Sequence, residues 1–187
     1  MDESRYLDKV INLFKTKGLS MSMEEIAQGI GITKKTLYNR FNNKDELLKK
    51  CMIRVTQDLS SRISCINDTS KDVCECFSCG ITAMRTFFRE MSPVFFNDLM
   101  KFYPMMASDD HAFGSAYFTK LIESNIIRGQ GDGTYKTNID AAMLSNYISF
   151  SVFAFFRKYV MMGNDYSAEH YFSQIIEFNL NGLKNKI

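Results

Sequence analysis

Residues 22–44, SMEEIAQGIGITKKTLYNRFNNK, constrain this chain more than any other stretch. They read as two short helices joined by a tight turn and followed by the start of a third. Ser22 and Glu25 have the spacing of a capping box, in which the serine oxygen accepts a first-turn amide and the glutamate reaches back. Ile26, Ala27 and Ile30 supply an inner face. Gly29 and Gly31 stand where the chain must turn, and glycine takes a positive φ at no steric cost. Thr33 is a good N-cap for the next helix. Leu37 and Phe41, four apart, share a face that can dock on Ile26 and Ile30. Lys34, Lys35, Thr36, Tyr38, Asn39 and Arg40 are left on the outer side and at the helix start. A short helix carrying those side chains suits the major groove of DNA.

The run GITKKTLYNRFNNKDELL resembles the signature of the tetracycline-repressor-like (TetR) family of bacterial transcriptional regulators. The resemblance is carried by Gly31, Ile32, Thr33, Leu37, Tyr38, Phe41, Lys44, Leu47 and Leu48 and extends over roughly residues 5 to 50. Lysine can donate to guanine O6 or N7 and threonine can meet a base or a thymine methyl, so Lys34, Lys35 and Thr36 are expected to read bases. Tyr38, Asn39, Arg40 and Lys44, with Ser22, are expected on phosphates, which position a head without reading sequence. The resemblance implies the same division for the variable pair and the threonine before Leu-Tyr, and for the tyrosine and the later lysine. Glu24 departs from the pattern, because several members carry a basic or neutral DNA contact there. A carboxylate at that place repels phosphate unless it is turned away or paired.

Charge divides along the chain. Residues 1–62 hold twelve Lys and Arg against eight Asp and Glu, a net of +4, and the remainder holds eleven against thirteen, a net of −2. A basic head on a mildly acidic body suits a polyanion-binding module joined to something else. The first apolar run is broken by Asp8 and Lys9, so no secretory leader is expected. The most apolar stretch, residues 147–156, is too short to span a bilayer. The expected location is the cytoplasm. Five cysteines, an odd number, argue against a secreted disulfide framework. In Cys74-Glu-Cys76-Phe-Ser-Cys79 only Cys76 and Cys79 share a helical face, and no second CxxC completes a zinc site. Partly buried thiols acting as small hydrophobes are the expectation, with no metal and no cofactor. His111 and His170, the only histidines, sit in no nucleophile or metal pattern, and no P-loop, GxGxxG or HExxH occurs, so no catalysis is expected.

The rest of the chain reads as helices. The first covers residues 2–17, with Gly18 as its C-cap. Asn43 and Glu46 make a second capping box, opening a long helix over residues 44–66 that joins head to body. Further helices are expected over 72–90, 94–102, 109–127 and 138–162, and a last one begins near Ser167. Ser92-Pro93 starts the short phenylalanine-rich one, and Tyr103-Pro104 ends it. Arg128 to Gly133, with three glycines, reads as a loop. The centre of the helix over 138–162 is apolar almost all round, so one side should cover the subunit and the other a second chain. Val152, Phe155, Phe156, Phe172, Ile176 and Leu183 are the expected dimer contacts. The load of phenylalanine and methionine is mostly core. It also suits an adaptable apolar pocket, which the TetR resemblance supports and for which Met84, Phe87, Phe88, Phe96, Tyr103, Tyr117, Phe118, Tyr147 and Phe150 are the candidate lining.

The expected protein is all-α, with about nine helices. A three-helix helix-turn-helix domain occupies residues 1–48, and a helical ligand-binding and dimerisation domain occupies 49–187. Its expected role is a ligand-responsive regulator, a repressor released from a palindromic DNA operator by a small, largely apolar effector. Its partners are double-stranded DNA, that effector and a second copy, and no membrane. The alternative is a helical hydrophobe-binding protein without specific DNA binding.

Overall fold

A computed structural model describes residues 3–102, 115–162 and 167–185, the side chains of 159–162 excepted. Among the described residues there are nine α-helices: α1 Glu3–Lys17, α2 Met23–Gly29, α3 Lys34–Tyr38, α4 Lys44–Ile63, α5 Val73–Glu90, α6 Pro93–Phe102, α7 Ser115–Gly131, α8 Ala141–Met162 and α9 Ala168–Leu183. One 3-10 turn, Ser64–Asn67, follows α4. The described residues form no strand, only an isolated bridge between Tyr135 and Lys184. Contacts group the chain into two compact units, Met1–Asp58 with Glu90–Phe113, and Leu59–Arg89 with Gly114–Ile187.

The first unit is built on α1. Tyr6, Leu7, Val10, Ile11 and Phe14 recur at three- and four-residue spacing and are all buried, as the helical period requires. Gly18 ends the helix with a φ of +83°. That conformation also lets α6 approach. Asp98 Oδ2 accepts from the Leu19 amide at 2.6 Å and the Ser20 amide at 2.9 Å, and a Cβ at position 18 would press on Asp98 and Val94. Lys15 pairs with Glu90 at 2.9 Å. Nearer the start of α1, Arg54 pairs with Asp8, and Lys50 reaches Glu3 at 2.9 Å.

The second unit centres on fully buried Phe77, Phe87, Phe118, Ile122, Ile126, Tyr135, Ile148 and Val152. Asn125 is also fully buried, and its amide donates to the carbonyls of Ile66 at 3.2 Å and Val73 at 3.0 Å. A buried amide so paired fixes where the 3-10 turn sits against α5 and α7.

Four elements differ from the expected pattern. The helix opened by Lys44 ends at Ile63, and the 3-10 turn takes the next four residues. The capping box at its start is offset. Glu46 N donates to Asn43 Oδ1 at 2.9 Å, but the Glu46 carboxylate accepts from the Asn42 amide, one residue earlier. Arg128 to Gly131 are helical, the end of α7, and the turn comes only at Gly133 with φ +82°. Gly129 is therefore not a turn glycine. It is buried against the ring of Tyr135, which any Cβ there would overlap. Finally, Cys79 is not the free thiol expected but forms a disulfide with Cys65, outside the cluster of three. Cys51, Cys74 and Cys76 are free thiols. The expected helix start near Asp109, the stop at Tyr103-Pro104 and the break at Gly163 to Asp165 lie outside the described residues.

Candidate nucleic-acid interface

Two caps and a turn fix the geometry of α2 and α3. Ser22 accepts from the Glu25 amide at 3.2 Å, and Glu25 accepts from the Ser22 amide at 2.7 Å, so the box is complete. The Ser22 amide first, and then its side chain, hold the Glu25 carboxyl below the usual carboxylate range. Ile30 closes α2, and Gly31 reverses the chain with φ +74°. Gly29 serves packing instead: a Cβ there would stand 2.6 Å from Leu13. Thr33 caps α3 by accepting from the Thr36 amide at 3.1 Å. Leu37 and Phe41 are fully buried with Ile26. Although α3 ends at Tyr38, the Phe41 amide still bonds Leu37 O at 3.0 Å, so the ring keeps its helical register.

Leu37 anchors α3 from below, and its other side chains face outward. Lys34, Lys35, Tyr38, Asn39 and Arg40 are exposed. Thr36 is half-buried, with its hydroxyl 2.8 Å from that of Thr33. Lys34 is not an isolated cation. Its ammonium donates to Glu24 at 3.1 Å, and that bond raises its pKa. Glu24, the departure noted in the sequence, is thus paired, and both partners remain exposed. Lys35 is exposed beside them. The Arg40 guanidinium lies 4.6 Å from the centre of the Tyr6 ring, so α1 steadies it. Lys44 is half-buried, and burial lowers its pKa, opposed by Asp98, Asp45 and Glu25. Ser22 is exposed at the start of α2, its hydroxyl engaged in the cap. Neither Glu24's pairing nor the anchoring of Arg40 on Tyr6 could be read from spacing alone.

The candidate pocket residues do not gather in one place. Met84, Phe87, Phe88 and Phe118 are buried within the second unit. There Phe88 stacks on Phe156 at 3.8 Å and meets Phe153 edge-on at 5.7 Å, and Phe118 meets Phe153 at 6.3 Å. Phe96 is buried but belongs to the first unit. Tyr117 is exposed, and Tyr103 lies outside the described residues. Tyr147 and Phe150 do not line an interior. They stand outward on α8, 61% and 75% exposed, with Met143 at 65%, while Phe178 on α9 is 68% exposed.

The expected dimer contacts divide the other way. Val152, Phe156, Phe172 and Leu183 are buried within the subunit. Phe155 is half-buried, stacked on Tyr171 at 3.9 Å. Ile176 is half-buried. An open groove of about 530 Å³ between α8 and α9 is lined by Tyr147, Ser151, His170, Tyr171, Gln174, Ile175, Phe178 and Asn179.

Three helices, the third presenting a basic outer face, have the arrangement of a helix-turn-helix DNA-binding head. Residues 7–51 match the family of bacterial regulatory proteins, tetR family. Over that stretch the chain is similar to the TetR family of transcriptional regulators. The whole fold is shared with solved structures at low identity. The ketosteroid transcriptional regulator of Mycobacterium tuberculosis is 19% identical with a TM-score of 0.64, over 98% of this chain and 95% of that one. A transcriptional regulator from Cytophaga hutchinsonii is 15% identical with a TM-score of 0.76, over 97% and 98%. The fatty acid degradation regulator of Bacillus halodurans is 15% identical with a TM-score of 0.70, over 98% and 96%. No curated protein sequence matched the chain. Regulators of this family bind DNA operators and small-molecule effectors and act as dimers.

Proposed function

We propose that this protein is a dimeric repressor released from a palindromic operator by a small, largely apolar effector. The functional head is residues 1–48, and the effector-binding and dimerising body is 49–187. The observation that carries the DNA reading is the capped, Leu37-anchored α3 with Lys34, Lys35, Tyr38, Asn39 and Arg40 facing out. Lys34, Lys35 and Thr36 read bases, Lys35 foremost because Glu24 engages Lys34. Ser22, Tyr38, Asn39, Arg40 and Lys44 hold phosphates. The second copy covers Met143, Tyr147, Phe150 and Phe178, with Phe155 and Ile176 at the edge, because soluble chains rarely leave such a patch open. The effector enters the second unit among Met84, Phe87, Phe88 and Phe118, where it has to separate aromatic pairs that fill the space in its absence. Structural neighbours described as regulators of ketosteroids and of fatty acid degradation support an apolar ligand. The helix α4, unbroken from Lys44 to Ile63, passes the change to the head.

Selection of bound duplexes from a random pool tests this directly. Enrichment of two inverted half-sites about one helical turn apart, roughly 34–36 Å, is the expected result. No enrichment would favour the hydrophobe-binding alternative. Calorimetric titration of an effector with and without operator then tests release. Linkage requires each to weaken the other by one factor, a coupling of about 1–3 kcal/mol.

A further inference from the structure

Two neighbouring residue pairs pin the 3-10 turn to α5. Cys65 and Cys79 are disulfide-bonded with Cα atoms 6.3 Å apart, within the usual span of such a bond. One residue on, Ile66 lies over Gly80 so closely that any Cβ at 80 would overlap its side chain. The turn is also held without sulfur. The Asn125 amide donates to Ile66 O, and Arg128 Nη1 donates to Asp68 O at 3.0 Å. The fold therefore has enough contacts here to survive loss of the crosslink. Cys65 and Cys79 are half-buried, so small thiols can reach them, whereas Cys51 and Cys76 are buried. A DNA-binding regulator works beside thiol reductants, and a disulfide in such surroundings is usually transient and sensing.

We propose that Cys65 and Cys79 are a reversible redox site that sets the DNA affinity of the head. In the oxidising direction the two protein thiols exchange with one low-molecular-weight disulfide. The Cys65–Cys79 bond forms, the small disulfide bond breaks, and two small thiols leave with the two protons. In the reducing direction a dithiol delivers two electrons and two protons and is left as its own disulfide. The turn directly follows α4, which runs unbroken back to Lys44. Crosslinking removes freedom from the body end of that helix. Freedom removed beforehand need not be given up on DNA, so the oxidised form binds more tightly. The output of this site rests on the proposed DNA reading, as does the premise of reducing surroundings, and the thiol exchange itself does not.

The test uses the full chain, equilibrated in excess oxidised glutathione or in dithiothreitol, with alkylation and peptide mass analysis. Cys65 and Cys79 should be blocked to alkylation in the first and open in the second. Operator affinity should fall at least about fivefold on reduction. Cys65→Ser and Cys79→Ser should each bind like the reduced protein and lose the response, while Cys74→Ser keeps it. Alkylation of both residues in excess oxidised glutathione would overturn the proposal, as would unchanged or tighter binding on reduction. Absence of duplex binding in both forms would overturn the DNA output. Hydrogen exchange over residues 64–79 then separates the two failures. Slower exchange in the oxidised form would uphold the clamp and place the fault in the DNA reading, and equal exchange would overturn the clamp as well.

Discussion

Gly129 shows what one residue can hide. In sequence, three glycines between residues 129 and 133 are punctuation, and a loop is the natural reading. Gly133 does turn the chain, but Gly129 is a notch for the Tyr135 ring, which is itself fully buried. Only the partner ring distinguishes these roles, and the ring arrives through tertiary packing. Gly129→Ala should therefore cost about 1–3 kcal/mol by overpacking. Gly131→Ala, with nothing within 4 Å of its added methyl, should cost nothing. Urea denaturation of the two variants checks the contrast. The capping carboxylates make a second residue-level test. Glu25 and Glu46 both titrate below their ordinary value of 4.5, Glu25 through the Ser22 bonds and Glu46 through those of Asn42. A depressed folded pKa means that the stabilisation is present above the unfolded value and is lost as pH falls through the folded one. Glu25→Ala should thus melt below the wild type at neutral pH, and the gap should close in acid below the ordinary carboxylate range.

Among the elements, the helix-turn-helix was legible because its determinants are local. Both partners of the Ser22–Glu25 box, the Thr33 cap and the Leu37–Phe41 face lie within four residues of each other. Links across the chain were not legible. Glu24 and Lys34 are ten residues apart, Asp98 is seventy-nine from Leu19, and Cys65 meets Cys79 only because a 3-10 turn brings it against α5. A helical-wheel reading of Cys74, Cys76 and Cys79 compares positions within one helix and cannot find a partner outside it. The division of labour on DNA is tested at this scale. Lys35→Ala should cost roughly 1–3 kcal/mol on operator and relax preference at one base position. Lys44→Ala should weaken operator and random duplexes alike and reduce the salt slope by about one. Equal losses from both variants on both kinds of DNA, measured by fluorescence anisotropy, would refute the division.

At the scale of the whole molecule, α8 carried the ambiguity. A helix that is apolar all round has no stripe to say which side is core, so residues expected at an interface are buried in the subunit and two expected in a pocket are exposed. Burial resolves the direction: Ile148, Val152 and Phe156 turn inward, and Met143, Tyr147 and Phe150 outward. The consequence is a pair of substitutions with opposite signatures. Phe150→Glu places a charge on an exposed ring position, so the isolated fold should keep its melting behaviour while the dimer is lost. Phe155→Glu replaces a ring stacked on Tyr171 and edge-on to Phe172, so the subunit itself should lose about 3 kcal/mol. Light scattering at micromolar concentration reads the first effect and chemical denaturation the second. A monomeric wild type would overturn the dimer, and a Phe150→Glu variant that stays dimeric would move the interface off this face. Operator binding should follow assembly, because two inverted half-sites are engaged only when two heads are joined. Phe150→Glu should then retain weak, salt-sensitive binding to a single half-site and lose the gain that the second half-site provides.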